Sequence, residues 1–354
     1  MKLEDLGFNE ILKQDALNYR NFKPGRVVAE HKERYVVSTE DGEFDAEITG
    51  NLRFTATSRL DFPAVGDWVA LIEYDSQTLI IQAVIPRFSI ITRKAKGKFG
   101  ELQIIAANVD YALLVQAVDR DFNVNRLERY LTICYESKVL PLIVLTKVDL
   151  IDKQTLATLK NTLHQRIKDI PVVAVTNTSL SGYDSLEKML VVGKTYCMLG
   201  SSGVGKSTLL NSLCAKSVMR TDTISQSTHK GRHVTSHREL TVLANGAILI
   251  DNPGMREVGI ADSATGLAVT FDTVLLFSHN CKYSDCTHKS EIGCAVIDAV
   301  EKGLIDKTSY DNYLKLEREK EHFESSLSER RLKEKEFGKI TKNYKKSHNS
   351  KTDK

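Results

Sequence analysis

The chain has 354 residues, 42% hydrophobic and 27% charged, with a formal net charge of +3. That length accommodates two or three domains. The composition is that of a globular protein, and so small a charge is no argument for nucleic-acid binding by itself. No apolar run approaches the roughly 18 residues that span a bilayer, and the start MKLEDLGFNE has no signal-peptide core. No membrane association and a cytoplasmic location are therefore expected.

Residues 1–24 form an N-terminal extension. Over 25–100, the segments GRVVAE, RYVVST, FDAEIT, DWVALIEY and LIIQAVI read as five short strands separated by turn signals such as Asp41-Gly42 and Gly66-Asp67. Five strands in about seventy residues predict a small β-barrel of OB type. The segment GNLRFTATSRLDFPAVGD reads as one long loop carrying Arg53, Phe54 and Arg59. The barrel is either a nucleic-acid binder or a generic scaffold with a solvated loop.

Over 101–265 the pattern changes. VDYALLVQAV suits a strand buried on both faces. The helix NRLERYLTICYESK follows, with Asn125 as its candidate cap. Strand LPLIVLT, helix QTLATLKNTLHQRIKD, strand PVVAVT, a short helix near Ser185–Leu190 and strand KTYCML complete the alternation, which predicts a parallel α/β sheet. ELTVL and AILID read as a further hairpin.

Strand KTYCML runs into GSSGVGKST, which matches G-x-x-x-x-G-K-[ST] between a strand and a helix. In such a loop the backbone N–H groups of Gly200, Ser201, Ser202, Gly203, Val204, Gly205, Lys206, Ser207 and Thr208 can curl around phosphates. Lys206 reaches the outer phosphates and the Ser207 hydroxyl can ligate Mg²⁺. Upstream, at the end of LPLIVLT, Thr146, Lys147 and Asp149 form [NT]-K-x-D. The Asp149 carboxylate can accept from guanine N1–H and its exocyclic amine, whereas adenine offers neither donor and would leave the carboxylate unpaired. The aliphatic stem of Lys147 can lie along the base. Val175–Thr178 is the candidate base-supporting loop.

Downstream, AILIDNPG ends in D-x-x-G at Asp251–Gly254. Asp251 can hold Mg²⁺ through a water, and the Gly254 N–H can meet the γ-phosphate. Met255 stands where many small GTPases place a water-orienting glutamine. In the intervening STHKGRHVTSHREL, Thr235 is the candidate second hydroxyl on Mg²⁺ and His233 the candidate water-orienting group; for any one of His229, His233 and His237, chemistry alone favours an exposed loop residue. The order of base motif, supporting loop, phosphate loop, switch and sensor is that of a GTPase domain cut and rejoined, which leaves strand neighbours unchanged.

Residues 266–337 carry Cys281-x₄-Cys286-x-His288-x₅-Cys294. Three thiolates and an imidazole suit one closed, structural Zn²⁺ site; free thiols or a redox pair are the alternatives, and His279 is a substitute ligand. Cys134, Cys197 and Cys214 are scattered and read as reduced core thiols. After Asp306, interleaved Glu and Lys/Arg read as a solvated helix, and 338–354 as a basic tail.

On TKVDL, GSSGVGKST, GRHVTSHREL, DNPGMRE and CKYSDCTHKSEIGC, in this order and spacing, the chain resembles the circularly permuted, ribosome-small-subunit-dependent GTPases of bacteria. The resemblance spans nearly the whole chain. It implies an α/β P-loop GTPase domain, circularly permuted, with an N-terminal OB barrel and a C-terminal zinc-binding helical domain. It also implies GTP hydrolysis with Mg²⁺, slow alone and stimulated by the small ribosomal subunit, in late maturation of that subunit, with its rRNA as partner. Separately from the resemblance, a monomer is expected. The histidine implicated in catalysis in that family corresponds to His233. Two features depart from the pattern. The family's switch reads Gly-Arg-His-Thr-Thr-Thr, and Val234 and Ser236 replace its outer threonines; its sensor has Thr where Asn252 stands. The alternative these departures motivate is a GTP/GDP-sensing RNA-binding module with little turnover.

Overall fold

The computed structural model describes residues 2–31, 34–75, 77–94, 102–119, 122–176, 178–221, 239–251 and 264–324. The N-terminal extension is a cap rather than a loose arm. A 3₁₀ turn and helix α1 (Glu10–Ala16) press Leu3, Leu6, Phe8 and Leu12 against Trp68 and Ile85.

Strands β1 (Lys23–His31), β2 (Arg34–Thr39), β3 (Gly42–Ile48), β4 (Trp68–Glu73) and β5 (Thr78–Val84) form the barrel. They run in the order β1-β2-β3-β5-β4, and β1 pairs with β4 to close it. Closure removes free edges and encloses Val27, Val37, Val69, Leu71, Leu79 and Ile81. The stretch read as one long loop contains helix α2 (Gly50–Thr55), capped by the Thr49 hydroxyl, which accepts from Leu52 N at 3.1 Å. None of its residues is buried, so no apolar periodicity signals it. A hairpin of β6 (Ile90–Lys94) and β7 (Leu102–Ala107), unforeseen in the sequence pattern, forms a separate two-stranded sheet.

The second sheet region comprises β8 (Tyr111–Ala117), β9 (Leu140–Thr146), β10 (Val172–Ala174), β11 (Thr195–Leu199), β12 (Glu239–Val242) and β13 (Ile248–Asp251). Their order is β10-β9-β8-β11-β13-β12. All pairs are parallel except β12 on β13, the expected hairpin. Helices α3 (Val124–Glu136), α4 (Lys153–Arg166), α5 (Tyr183–Met189) and α6 (Lys206–Thr221) alternate with the strands. The cap of α3 is Asn123, whose side chain accepts from Arg126 N at 3.2 Å. Asn125 already lies within the helix, where a cap's extended backbone is excluded; its Oδ1 accepts instead from Arg166 Nη2 at 2.7 Å.

The two regions are welded together. β1 pairs with β12 at Ala29 and Glu239, making one sheet of eleven strands. At the junction the fully buried Arg26 donates from Nε to Gly66 O at 3.2 Å, and from Nη2 to Asn108 O at 3.2 Å and Thr195 Oγ1 at 2.9 Å. Its Nη1 donates to Leu6 O, and its guanidinium lies 5.7 Å from the centre of the Trp68 ring. Burial pulls the guanidinium down to about 10, with Asp110 and Asp67 opposing.

Helices α7 (Ala264–Thr270), α8 (Asp272–Ser278), α9 (Ala295–Glu301) and α10 (Lys307–Glu324) share a core of Leu267, Phe271, Val274, Val296, Ile305 and Leu316. The expectation of a solvated helix after Asp306 fails for α10: Leu316 and Asn312 are buried. Glu319 accepts a two-pronged ion pair from Arg129 at 2.7 Å on each oxygen. Its charges partner residues about 190 positions away, which a local charge pattern cannot reveal. Among the described residues no helix is long and apolar enough to cross a membrane.

Candidate functional site

The site lies at the carboxyl ends of β8, β9, β10, β11 and β13, where open α/β sheets bind ligands. The phosphate-type loop spans 200–205, from the end of β11 at Leu199 to the start of α6 at Lys206. A Cβ on Gly200 would stand 2.4 Å from Val115 O, so only glycine lets the chain pass β8. Gly203 and Gly205 take φ of 83° and 95°, which turns successive N–H groups inward. Val204 is buried and anchors the loop, while Ser207 and Thr208 face solvent. Lys206 Nζ folds back onto Gly200 O at 2.7 Å and Ser201 O at 2.6 Å. Burial lowers its pKa, and the charge of Asp251, the last residue of β13, opposes that.

Thr146 closes β9, and its hydroxyl donates to Val204 O at 2.6 Å. The [NT]-K-x-D segment and the phosphate-type loop are thus hydrogen-bonded neighbours. Lys147 adopts a left-handed backbone, φ 59°, and its Nζ donates to Asp119 Oδ2 at 2.8 Å. Asp149 is exposed. Thr176 Oγ1 donates to its Oδ1, and Thr178 Oγ1 to its Oδ2 at 3.0 Å. These hydroxyls, Thr176 foremost, hold the carboxyl below the usual carboxylate range. The group is therefore an oriented, ionised acceptor with lone pairs to spare.

Position along the chain pointed to Val175–Thr178 but not to this hydroxyl clamp; the only sequence signal is the two threonines of TNT. Asp119, which braces Lys147, and Tyr130, which packs in one core with Leu199 at the start of the loop, carried no signal at all, because both contacts are long-range. Of the residues considered from sequence, His233, Thr235 and Gly254 lie outside the described residues, as do Val234, Ser236, Asn252 and Met255. The candidate magnesium-side groups that are described, Ser207 and Asp251, both belong to this end of the sheet.

A second cluster lies among α8, α9 and α10. The ligand atoms of Cys281, Cys286, His288 and Cys294 all fall within 4.8 Å of one another, and His279 is not among them. His288 Nδ1 is 3.5 Å from both Cys281 Sγ and Cys294 Sγ, which are 3.9 Å apart. A tetrahedral ion with metal–sulfur bonds near 2.3 Å needs sulfurs about 3.8 Å apart, so the cluster could hold a metal ion. Burial would raise the Cys281 thiol, but the N–H groups of Ala295 and Val296 pull it lower. His288 sits at φ 58° in a loop drawn round Glu291, which accepts from Thr287 N, Lys289 N and Ser290 N at 2.8–3.1 Å. Tyr310 of α10 donates its hydroxyl to His288 O at 2.5 Å.

A family model described as RsgA GTPase matches residues 84–261. The chain is 40% identical over 330 residues to small ribosomal subunit biogenesis GTPase RsgA 1 of Bacteroides thetaiotaomicron, covering 93% of this chain and 92% of the relative. It is 37% identical over 345 residues to small ribosomal subunit biogenesis GTPase RsgA of Methanosarcina acetivorans, covering 96% and 92%. Among solved structures, YjeQ from Thermotoga maritima aligns with a TM-score of 0.62 at 25% identity, covering 83% of this chain and 96% of that one. The fold of YloQ, described as a circularly permuted GTPase, aligns with a TM-score of 0.61 over 87% and 98% of the two chains.

Proposed function

The chain belongs to the RsgA GTPase family, and from that premise we propose that it hydrolyses GTP on the small ribosomal subunit and couples that step to the subunit's late maturation. The observation that carries the nucleotide assignment is the 2.6 Å bond from Thr146 to Val204 O. It supports reading the base motif and the phosphate loop, inverted in chain order, as one continuous site.

In this reading Asp149 accepts from the guanine edge, and the stem of Lys147, braced by Asp119, covers the base. The backbone of 200–208 cradles the phosphates. On binding, Lys206 leaves its own carbonyls for the outer phosphates, exchanging neutral acceptors for charged ones. Ser207, Thr235 and, through a water, Asp251 are the residues that would hold Mg²⁺, which supplies charge neutralisation between the β- and γ-phosphates. His233 orients the attacking water, a role Met255 cannot take. Cys281, Cys286, His288 and Cys294 would hold one zinc ion as a closed structural site, because no ligand position is left for chemistry. The protein acts in the cytoplasm as a monomer, with rRNA of the small subunit as its partner.

The word GTPase in the relatives' names favours turnover over nucleotide sensing alone. The test is GTP turnover by the purified protein with and without mature small subunits. The rate is expected to be low alone and to rise with subunits; an unchanged rate would remove the coupling.

A further inference from the structure

Helix α3 has two working faces. At 100° per residue, Glu128, Arg129, Thr132 and Glu136 fall within one arc of about 100°, and Tyr130 lies on the other side. The outer face is bound to the C-terminal helices. Arg129 pairs with Glu319, Thr132 Oγ1 donates to Thr270 Oγ1 at 3.1 Å, and Glu136 Oε2 accepts from Gly266 N at 2.8 Å. The inner face carries Tyr130, which packs in the same buried core as Leu199, the residue before the phosphate loop, and whose phenol Ser201 pulls lower against its burial.

Glu128 lies at one edge of the outer face. It is 2% exposed, yet nothing in the nucleotide or metal chemistry uses its carboxylate. Arg166 donates to Oε1 from Nε at 3.1 Å and Nη2 at 2.8 Å, Ser309 Oγ donates to Oε1 at 3.0 Å, and Asn312 Nδ2 donates to Oε2 at 2.7 Å. Ser309 and Asn312 are on α10, and between them stands Tyr310, whose hydroxyl holds the carbonyl of His288. The first turn of α10 is thus fastened to α3 on one side and to the metal-ligand loop on the other.

We infer that Glu128 is a positioning residue that locks α10 onto α3, so that occupancy of the metal cluster and occupancy of the phosphate loop alter each other's affinity. The connected groups are Leu199 at the start of the phosphate loop, Tyr130 in the same core, the α3 backbone, Glu128, Ser309 and Asn312, Tyr310 and His288. A buried carboxylate with four donors costs much to break and has few alternative arrangements, which makes the joint stiff enough to transmit a displacement. This rests on the nucleotide and zinc assignments proposed above. Coupling of this kind is reciprocal by thermodynamic necessity.

The test uses the full chain, loaded with one equivalent of Zn²⁺ or stripped by chelation, and measures affinity for GDP. Removal of the metal is expected to change the wild-type GDP affinity by roughly 5-fold or more, the ordinary range for coupled sites. In Glu128→Gln and, separately, in the milder Ser309→Ala, that ratio is expected to shrink toward one, while GDP affinity of the zinc-loaded variants stays near wild type. A wild-type affinity indifferent to the metal, or full coupling retained in both variants, would overturn the inference. Failure of every form to bind GDP would instead overturn the nucleotide assignment beneath it.

Discussion

The hydroxyl of Thr146 donates to the carbonyl oxygen of Val204 at 2.6 Å, and both residues are buried. The two are 58 positions apart and belong to motifs that run in the reverse of the usual order, yet they share one bond. Breaking and rejoining a domain preserves it because β9, β8 and β11 remain side by side.

Replacing Thr146 with Val keeps the shape of the side chain and removes the donor, leaving Val204 O buried without that partner. The loss is expected to be about 1–3 kcal/mol. GTP and GDP affinity should fall by roughly tenfold, read by equilibrium titration, with circular dichroism unchanged.

Asp149→Asn converts an acceptor pair into one acceptor and one donor facing the guanine edge. GTP affinity should drop by roughly 10²-fold, as expected when a site built for hydrogen bonds loses its complement. Xanthosine triphosphate, which carries a carbonyl in place of the 2-amine, should gain relative to GTP. Unaltered GTP affinity would remove Asp149 from the site.

His233→Ala is expected to lower kcat by roughly 10²-fold, the usual scale for losing a proton-handling or water-orienting group, while leaving GTP affinity in place. Single-turnover assays with small subunits separate the two. Equal loss of affinity would move His233 from water positioning to nucleotide binding.

Metal analysis should find one zinc per chain, and Cys286→Ser should lose it. Chelation should lower the melting temperature, because the helices around the cluster share a small core whose members include Cys281, Cys286 and Cys294. Retention of zinc by Cys286→Ser would point to a different ligand set.

Arg26→Met should destabilise the whole chain rather than one domain. It strips donors from three buried carbonyls, of Leu6, Gly66 and Asn108, at a cost of about 3 kcal/mol or more. Thermal unfolding should show the barrel and the α/β region shifting together to lower temperature.

Much of this molecule could be read directly from its residues, and the exceptions share a physical cause. The strands of the barrel and of the α/β sheet announced themselves because burial imposes periodicity on contiguous residues. GSSGVGKST and TKVD announced themselves because phosphate and guanine chemistry each demand particular side chains at fixed spacing. Helix α2 escaped because none of its residues is fully buried and only Leu52 leans on the barrel core. The cap of α3 is Asn123 and not the expected Asn125, because a cap is set by backbone angles that residue type does not reveal. The docking of α10, the Asp119 brace on Lys147 and the packing of Tyr130 with Leu199 beside the phosphate loop depend on residues distant in sequence. Threonines 176 and 178 were visible as residues, but their shared grip on Asp149 required the fold that brings β10 alongside β9.

The most direct measurement is a crystal structure of the chain with GDP and Mg²⁺. One nucleotide is expected to span both loops, with the guanine N1–H and amine on Asp149 and the β-phosphate within reach of Lys206 Nζ. A nucleotide whose base lies away from Asp149, or whose phosphates lie outside the 200–208 loop, would contradict it.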